Sequence, residues 1–213
     1  MAEITTALIK ELRDATNAGV LDARKALQEA DGDIEKAKDW LRQKGITKAG
    51  ERAGRTAAEG VIGTYVHHNH QVATLVELNS ESDFVARNDI FKDLARELAI
   101  HIAGTGPRWV TRDEVPEAIV QRERDIAIAT ARDQGKEAMA DKIAEGKLNA
   151  FFGEHCLMEQ KWAKDDKKKI QELVDEAIAQ LKENIVVSRF ARFKVGEAAV
   201  VDAGPGGEVS GEA

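Results

Sequence analysis

The stretch NSESDFVARND, Asn79 to Asp89, decides how the chain folds. Before it, QVATLVELN carries the β-branched and aliphatic residues of a strand. After it, Phe91, Leu94, Leu98 and Ile102 recur at spacings of three and four, which predicts a helix from Asp89 to about Ala103. The stretch is therefore a polar strand-to-helix corner, and the chain mixes strands with helices. Its middle sets an acid, Asp83, beside a bulky aromatic, Phe84. A phenylalanine in such a corner is either anchored in the core or held out for a partner.

Working outward, GVIGTYV and QVATLVELN bracket HHNH, His67 to His70, and read as a β-hairpin. Near the other end, IVVSRFARFKV reads as a further strand. Between them, residues 113–152 form a long helical stretch broken by DQGK, Asp133 to Lys136, with arms short of large core residues. A helical hairpin that projects from the body fits this pattern. After Gly153, EHCLMEQKWA reads as extended and DKKKIQELVDEAIAQLKEN as an amphipathic helix.

Residues 1–45 read as three short helices. Thr5 caps the first, Asp22 the second and Asp33 the third, and Gly45 ends the third. In the turn TNAGVL, Val20 and Leu21 look exposed. Residues 46–58 carry little large apolar content and read as a basic, partly helical linker to a second domain, 59–197. From Glu197 onward there are four acids and no bases, so 198–213 is expected to be a disordered acidic tail. The fold class is α+β.

Composition narrows the function. Of 213 residues, 43% are hydrophobic and 5% aromatic, so the core must rest on Ala, Leu, Ile and Val. The net charge of −7 disfavours nucleic acid as the main partner. A single cysteine, Cys156, excludes an internal disulfide framework. The first residues lack the apolar stretch of a signal peptide and no run is long enough to span a bilayer, so a cytoplasmic protein without membrane contact is expected.

Motifs for chemistry are weak. His67 and His70 in HHNH suggest a metal, but no Cys, Asp or Glu lies in the loop to complete a tetrahedral set. Cys156 next to His155 suggests a thiol nucleophile, yet neighbours on an extended segment point to opposite faces. No phosphate-cradling glycine loop is present. The sequence argues for neither an enzyme nor a bound cofactor or metal.

Several segments, in order, resemble the elongation factor Ts family. TNAGVLDARKAL, Thr16 to Leu27, resembles that family's T-G-A-G-x-x-D-x-K-K-A-L, with Asn17 in place of a glycine. NSESDFVA resembles N-C-x-T-D-F-V-A, with Ser80 for the cysteine and Ser82 for the threonine. FFGEHCLMEQKW and RFARFKVGE resemble later family segments. The resemblance implies an N-terminal three-helix, ubiquitin-associated-type domain followed by an α+β core with a small antiparallel sheet, packed helices and a protruding hairpin.

It also implies a function: guanine nucleotide exchange on elongation factor Tu, a GTPase. The residues implied in partner binding are Asp83 and Phe84, flanked in the motif by Ser82 and Val85; His67 in the hairpin turn; and Val20, Leu21, Arg24 and Lys25 at the start of the second helix. With one strand–helix–strand unit, the chain resembles the short form of the family, which implies a homodimer or a 2:2 complex. A competing reading is a helical adaptor that binds partners through the first domain, but it leaves residues 60–197 without a role.

Overall fold

The computed structural model describes residues 4–16, 18, 20–52 and 54–197. The expected acidic tail, 198–213, lies outside them. Three helices open the fold: α1 (Thr6–Thr16), α2 (Val20–Glu29) and α3 (Ile34–Arg52). Thr5 Oγ1 accepts the Leu8 N–H at 3.3 Å. Asp33 Oδ1 accepts the Lys36 N–H at 3.1 Å, and so caps α3. Between α2 and α3 the chain turns through Asp31 and Gly32, at φ 50° and 84°. Leu12, Ala23, Ala26, Leu27, Ala30 and Ala37 form the buried centre of this unit.

Two expectations are corrected here. Asp22 lies inside the first turn of α2 rather than at its cap, because the helix already starts at Val20. Gly45 does not end α3, which runs on to Arg52 through much of the stretch read as linker. Gly45 and Gly50 inside α3 cost it about 1 kcal/mol each. The packing of α3 along a later helix, α8 (Ile170–Leu181), offsets that cost through contacts such as the Arg42–Glu172 ion pair.

The body starts with β1 (Glu59–Val66) and β2 (Val72–Ser80), joined through HHNH. A one-turn helix, α4 (Asp83–Ala86), leads into α5 (Asp89–Thr105), which ends at Gly106 in the left-handed conformation. The helical hairpin follows as α6 (Glu117–Asp133) and α7 (Ala140–His155). Buried Ala127, Ala131, Ala140 and Ala144 mark the seam where small side chains let the two helices approach. Gly135, φ 70°, turns the chain at the tip, where DQGK was read as a break.

After α7 the sequence reading is corrected twice more. EHCLMEQKWA is not wholly extended: α7 continues to His155, because Leu148 and Phe152 give it a buried face that holds the last turn. A short 3-10 turn then spans Leu157–Glu159. The lysine run at 167–169 does not start a helix. It forms β4 (Asp165–Lys169), paired with β3 (Lys161–Trp162). Three lysines in a first helical turn would oppose the helix dipole, and α8 starts only at Ile170. Glu172 then accepts the Lys169 N–H at 3.1 Å. The last strand, β5 (Ile185–Lys194), is as expected.

The sheet order is β1-β2-β5, antiparallel throughout. One face carries Val76 and Leu78 into a core with Phe91, Leu98 and Ile102 of α5 and with Ile170, Val174 and Ile178 of α8. A Cβ on Gly63 would stand 2.4 Å from the Ala95 carbonyl oxygen, so α5 lies directly on the β1 backbone. The other face presents exposed Ile62, Val66, Leu75 and Phe193.

Candidate partner-binding site

The corner begins where β2 ends. Ser80 is fully buried, and its hydroxyl donates to the Ser82 carbonyl at 2.9 Å, which tightens the turn. Ser82 has an extended backbone (φ −128°, ψ 158°) and caps α4, its Oγ accepting from the Val85 N–H. The same hydroxyl donates to Glu183 Oε1 at 2.5 Å, and the Ser82 N–H donates to Glu183 Oε2 at 3.0 Å. One carboxylate thus takes both donors of one residue.

The grip is returned from the other side. Glu81 Oε1 accepts the Asn184 N–H at 2.6 Å, and Asn184 Nδ2 donates to the Arg55 carbonyl at 2.8 Å. The Arg55 guanidinium lies 3.6 Å from the Glu81 carboxylate. Residues 81–82, the junction 183–184 and Arg55 therefore form one polar knot.

In a helical turn successive side chains diverge by about 100°. Ala86 is buried and Val85 packs on the core, so Asp83 and Phe84 are left to face outward. Phe84 is 83% exposed. That removes the reading of Phe84 as a core anchor. Asp83 pairs with Arg87 one turn on, at 2.9 Å. Asn88 caps α5 immediately afterwards through the Ile90 N–H, so the corner is capped twice within seven residues.

On the N-terminal unit, Val20 and Leu21 are 51% and 82% exposed, and Arg24 and Lys25 are exposed beside them on α2. His67 shares a 2.8 Å hydrogen bond with the Tyr65 hydroxyl, which fixes its ring. The structure does not bring His67 to Phe84 within one chain. Val66 pairs with Ala73 and Glu59 with Ser80, so the two sit at opposite ends of the hairpin. At 3.4 Å per residue that separation is about 24 Å.

A cleft of 690 Å³ lies between the N-terminal helices and α8. Several of its charges are paired: Arg42 with Glu172, Lys168 with Glu176 at 2.7 Å and Lys38 with Glu35 at 2.6 Å, while the buried Asp175 accepts from the Gln171 amide at 2.9 Å. Among the described residues, no three His, Cys, Asp or Glu side chains gather to hold a metal. Cys156 is fully buried, and burial pushes its thiol up to about 11, so it is inert as a nucleophile at neutral pH. The His155 ring packs on Phe151, with centroids 4.6 Å apart. Among the described residues, no helix is long and apolar enough to cross a membrane.

Sequence reasoning found the presented pair but missed the knot beneath it. Glu183 lies 101 residues from Ser82, and no periodicity links them. The available signal was an acid and an amide, Glu183 and Asn184, between an amphipathic helix and a strand, where a charged side chain has no face to belong to.

The family model for elongation factor Ts matches residues 6–197. Elongation factor Ts of Thermosipho melanesiensis is 50% identical over 195 residues, covering 91% of this chain and 100% of that protein. Elongation factor Ts of Anaeromyxobacter sp. (strain K) is 50% identical over 198 residues, covering 92% and 90%. That of Myxococcus xanthus is 48% identical over 198 residues, covering 92% and 91%. With the match running from the first helix to the end of the last strand, the chain belongs to the elongation factor Ts family of translation elongation factors.

Proposed function

We propose that this chain is a guanine nucleotide exchange factor. It binds elongation factor Tu carrying GDP, disturbs the magnesium and phosphate site, and promotes GDP release during translation elongation in the cytoplasm. The observation that carries this reading is Phe84: a large ring 83% exposed on a doubly capped corner, beside Asp83. The ring inserts into the partner's GTP-binding domain, and Asp83 comes to lie near its ion. Val20, Leu21, Arg24 and Lys25 dock on the same domain. The division of labour follows the chain: the helices up to Arg52 dock, the short stretch from there to 58 connects, and 59–197 carry the wedge.

Magnitudes limit what the wedge does alone. Burying one phenylalanine is worth about 1.5–3 kcal/mol. Moving a two-state partner from nearly closed to nearly open takes about 5.5 kcal/mol of differential binding. Docking surfaces away from Phe84 must contribute the remainder. Linkage makes the effect reciprocal: the factor weakens nucleotide binding, and nucleotide weakens factor binding by the same ratio. Release therefore speeds up without any bond being made or broken by this chain.

A second copy of the chain is part of the proposal. The open sheet face supports it, with rows Ile62–Glu77–Arg189, Thr64–Leu75–Ala191 and Val66–Ala73–Phe193 lying side by side. The roughly 24 Å between His67 and Phe84 within one chain is consistent with the two acting from different copies.

The deciding experiment is stopped-flow release of a fluorescent GDP from elongation factor Tu, with and without this protein. Exchange activity requires acceleration that saturates with factor concentration. An unchanged release rate would overturn the proposal.

A further inference from the structure

We propose that Glu183 is a positioning residue for nucleotide exchange, acting through Ser82 on Phe84. This role rests on the exchange reading above. The geometry carries it. Phe84 makes almost no contact with the body and cannot be held by its own packing. Its direction is set by the turn Ser82–Ala86, and the Ser82 backbone is fixed by Glu183. The carboxylate accepts from the Ser82 N–H and hydroxyl together, which leaves that hydroxyl's lone pairs free to cap Val85. Without the acid, the Ser82 N–H and hydroxyl both lose the acceptor that fixes the rotation of the turn.

Glu183 is itself held. Lys182 before it adopts the left-handed conformation, φ 62°, at the end of α8, and its N–H donates to the Ile178 carbonyl at 2.9 Å. Asn184 after it is clamped by Glu81 and Arg55. Arg55 lies at the entry of the chain into the body, just after α3. The knot is therefore where the path from the N-terminal helices, the end of α8 and the wedge turn converge. A displaced Glu183 frees the direction of Phe84 while leaving the sheet and α5 intact.

The test compares wild type, Glu183→Gln, Ser82→Ala, Phe84→Ala and the Phe84→Ala/Glu183→Gln pair in GDP release from elongation factor Tu. Glutamine keeps the shape but turns an amide donor toward one of the Ser82 donors. The expected result is a fall of roughly 5- to 30-fold in the maximal release rate for Glu183→Gln. The factor concentration at half-maximal rate should change by less than about threefold, since docking lies elsewhere. Ser82→Ala, which keeps the N–H, should fall in between. The double variant should lose no more than Phe84→Ala alone, because a residue that acts through the ring has nothing left to act on. Multiplied losses in the double variant, or a wild-type rate in Glu183→Gln, would overturn the role.

Amide hydrogen exchange separates this outcome from failure of the exchange reading. In Glu183→Gln the Ser82 and Val85 amides should exchange faster, with α5 amides unchanged. Wild-type protein that leaves GDP release unaltered removes the exchange reading and this role together. Unchanged Ser82 and Val85 protection in the variant removes the clamp alone.

Discussion

Arg42 of α3 forms an ion pair with Glu172 of α8, a direct charge contact between the N-terminal helices and the sheet-bearing body. Burial pushes the Glu172 carboxyl up, but the Arg42 hydrogen bond and the Lys169 N–H outweigh it and hold the group below its ordinary value. Its contribution is therefore present above that ordinary value and lost as pH falls through the lowered one. Both side chains keep some exposure, so the pair adds at most about 1 kcal/mol to global stability. Arg42→Ala should leave the melting temperature nearly unchanged yet loosen α3 from α8. Limited trypsin digestion should then cut between residues 46 and 58 several-fold faster than in wild type. Equal cleavage rates would mean that this pair does not hold the two units together.

Phe84→Ala separates function from fold. The ring is 83% exposed, so its removal should change unfolding free energy by no more than about 0.5 kcal/mol. If the ring is buried in the partner, exchange should slow by roughly 10- to 150-fold, the equivalent of one buried phenylalanine. Urea unfolding and GDP release on the same preparation supply both numbers. A variant that unfolds early and exchanges normally would invert the assignment of this residue.

These two cases show how legible the molecule was. The strand-to-helix corner follows from local chemistry: an apolar period on each side, polar residues between, and caps at Ser82 and Asn88. The helical hairpin and the sheet strands were equally local. The outward direction of Phe84 was not: local chemistry left core anchor and partner contact both open, and only the family resemblance favoured the second. What the sequence hid were decisions made by distant partners. Gly45 reads as a helix end until α8 packs along α3. The run Lys167–Lys169 reads as part of a helix until Lys161 pairs with Lys169. Glu183 reads as a surface acid until Ser82 arrives from 101 residues away.

His101 carries a pH dependence of its own. It is 1% exposed on α5. Its Nδ1 accepts the Ala163 N–H at 3.3 Å, so the proton sits on Nε2, which donates to Gln160 Oε1 at 2.9 Å. A second proton would face the Ala163 N–H, donor against donor. Burial lowers the pKa from 6.5, with the Gln160 bond opposing in part. The unfolded state therefore binds the proton more readily, and stability is lost as pH falls below 6.5. His101→Gln removes this titration. The gap in urea midpoint between wild type and variant should narrow from about pH 7.5 to about pH 5. A constant gap would mean that His101 ionises without cost in the folded chain.

The open sheet face yields the last prediction. Leu75 and Phe193 face solvent, with Ile62 and Val66 on the neighbouring strand. The ladder places Glu77 between Ile62 and Arg189, and the Arg189–Glu77 pair, 2.7 Å, keeps charge on an otherwise apolar surface. Two such faces can stack as a sandwich about 10 Å apart, with each copy's apolar rows covering the other's. Leu75 and Phe193 stand 46% and 67% exposed and outside the buried core, so Leu75→Lys and Phe193→Glu should each change monomer stability by no more than about 1 kcal/mol. In a dimer, either change strands a charge in the interface. Sedimentation equilibrium should show wild type as a dimer at tens of micromolar, with each variant shifted toward monomer by at least about tenfold in dissociation constant. Wild-type protein that stays monomeric at that concentration would leave this face without a second copy to cover it, and the exchange unit would then be a single chain.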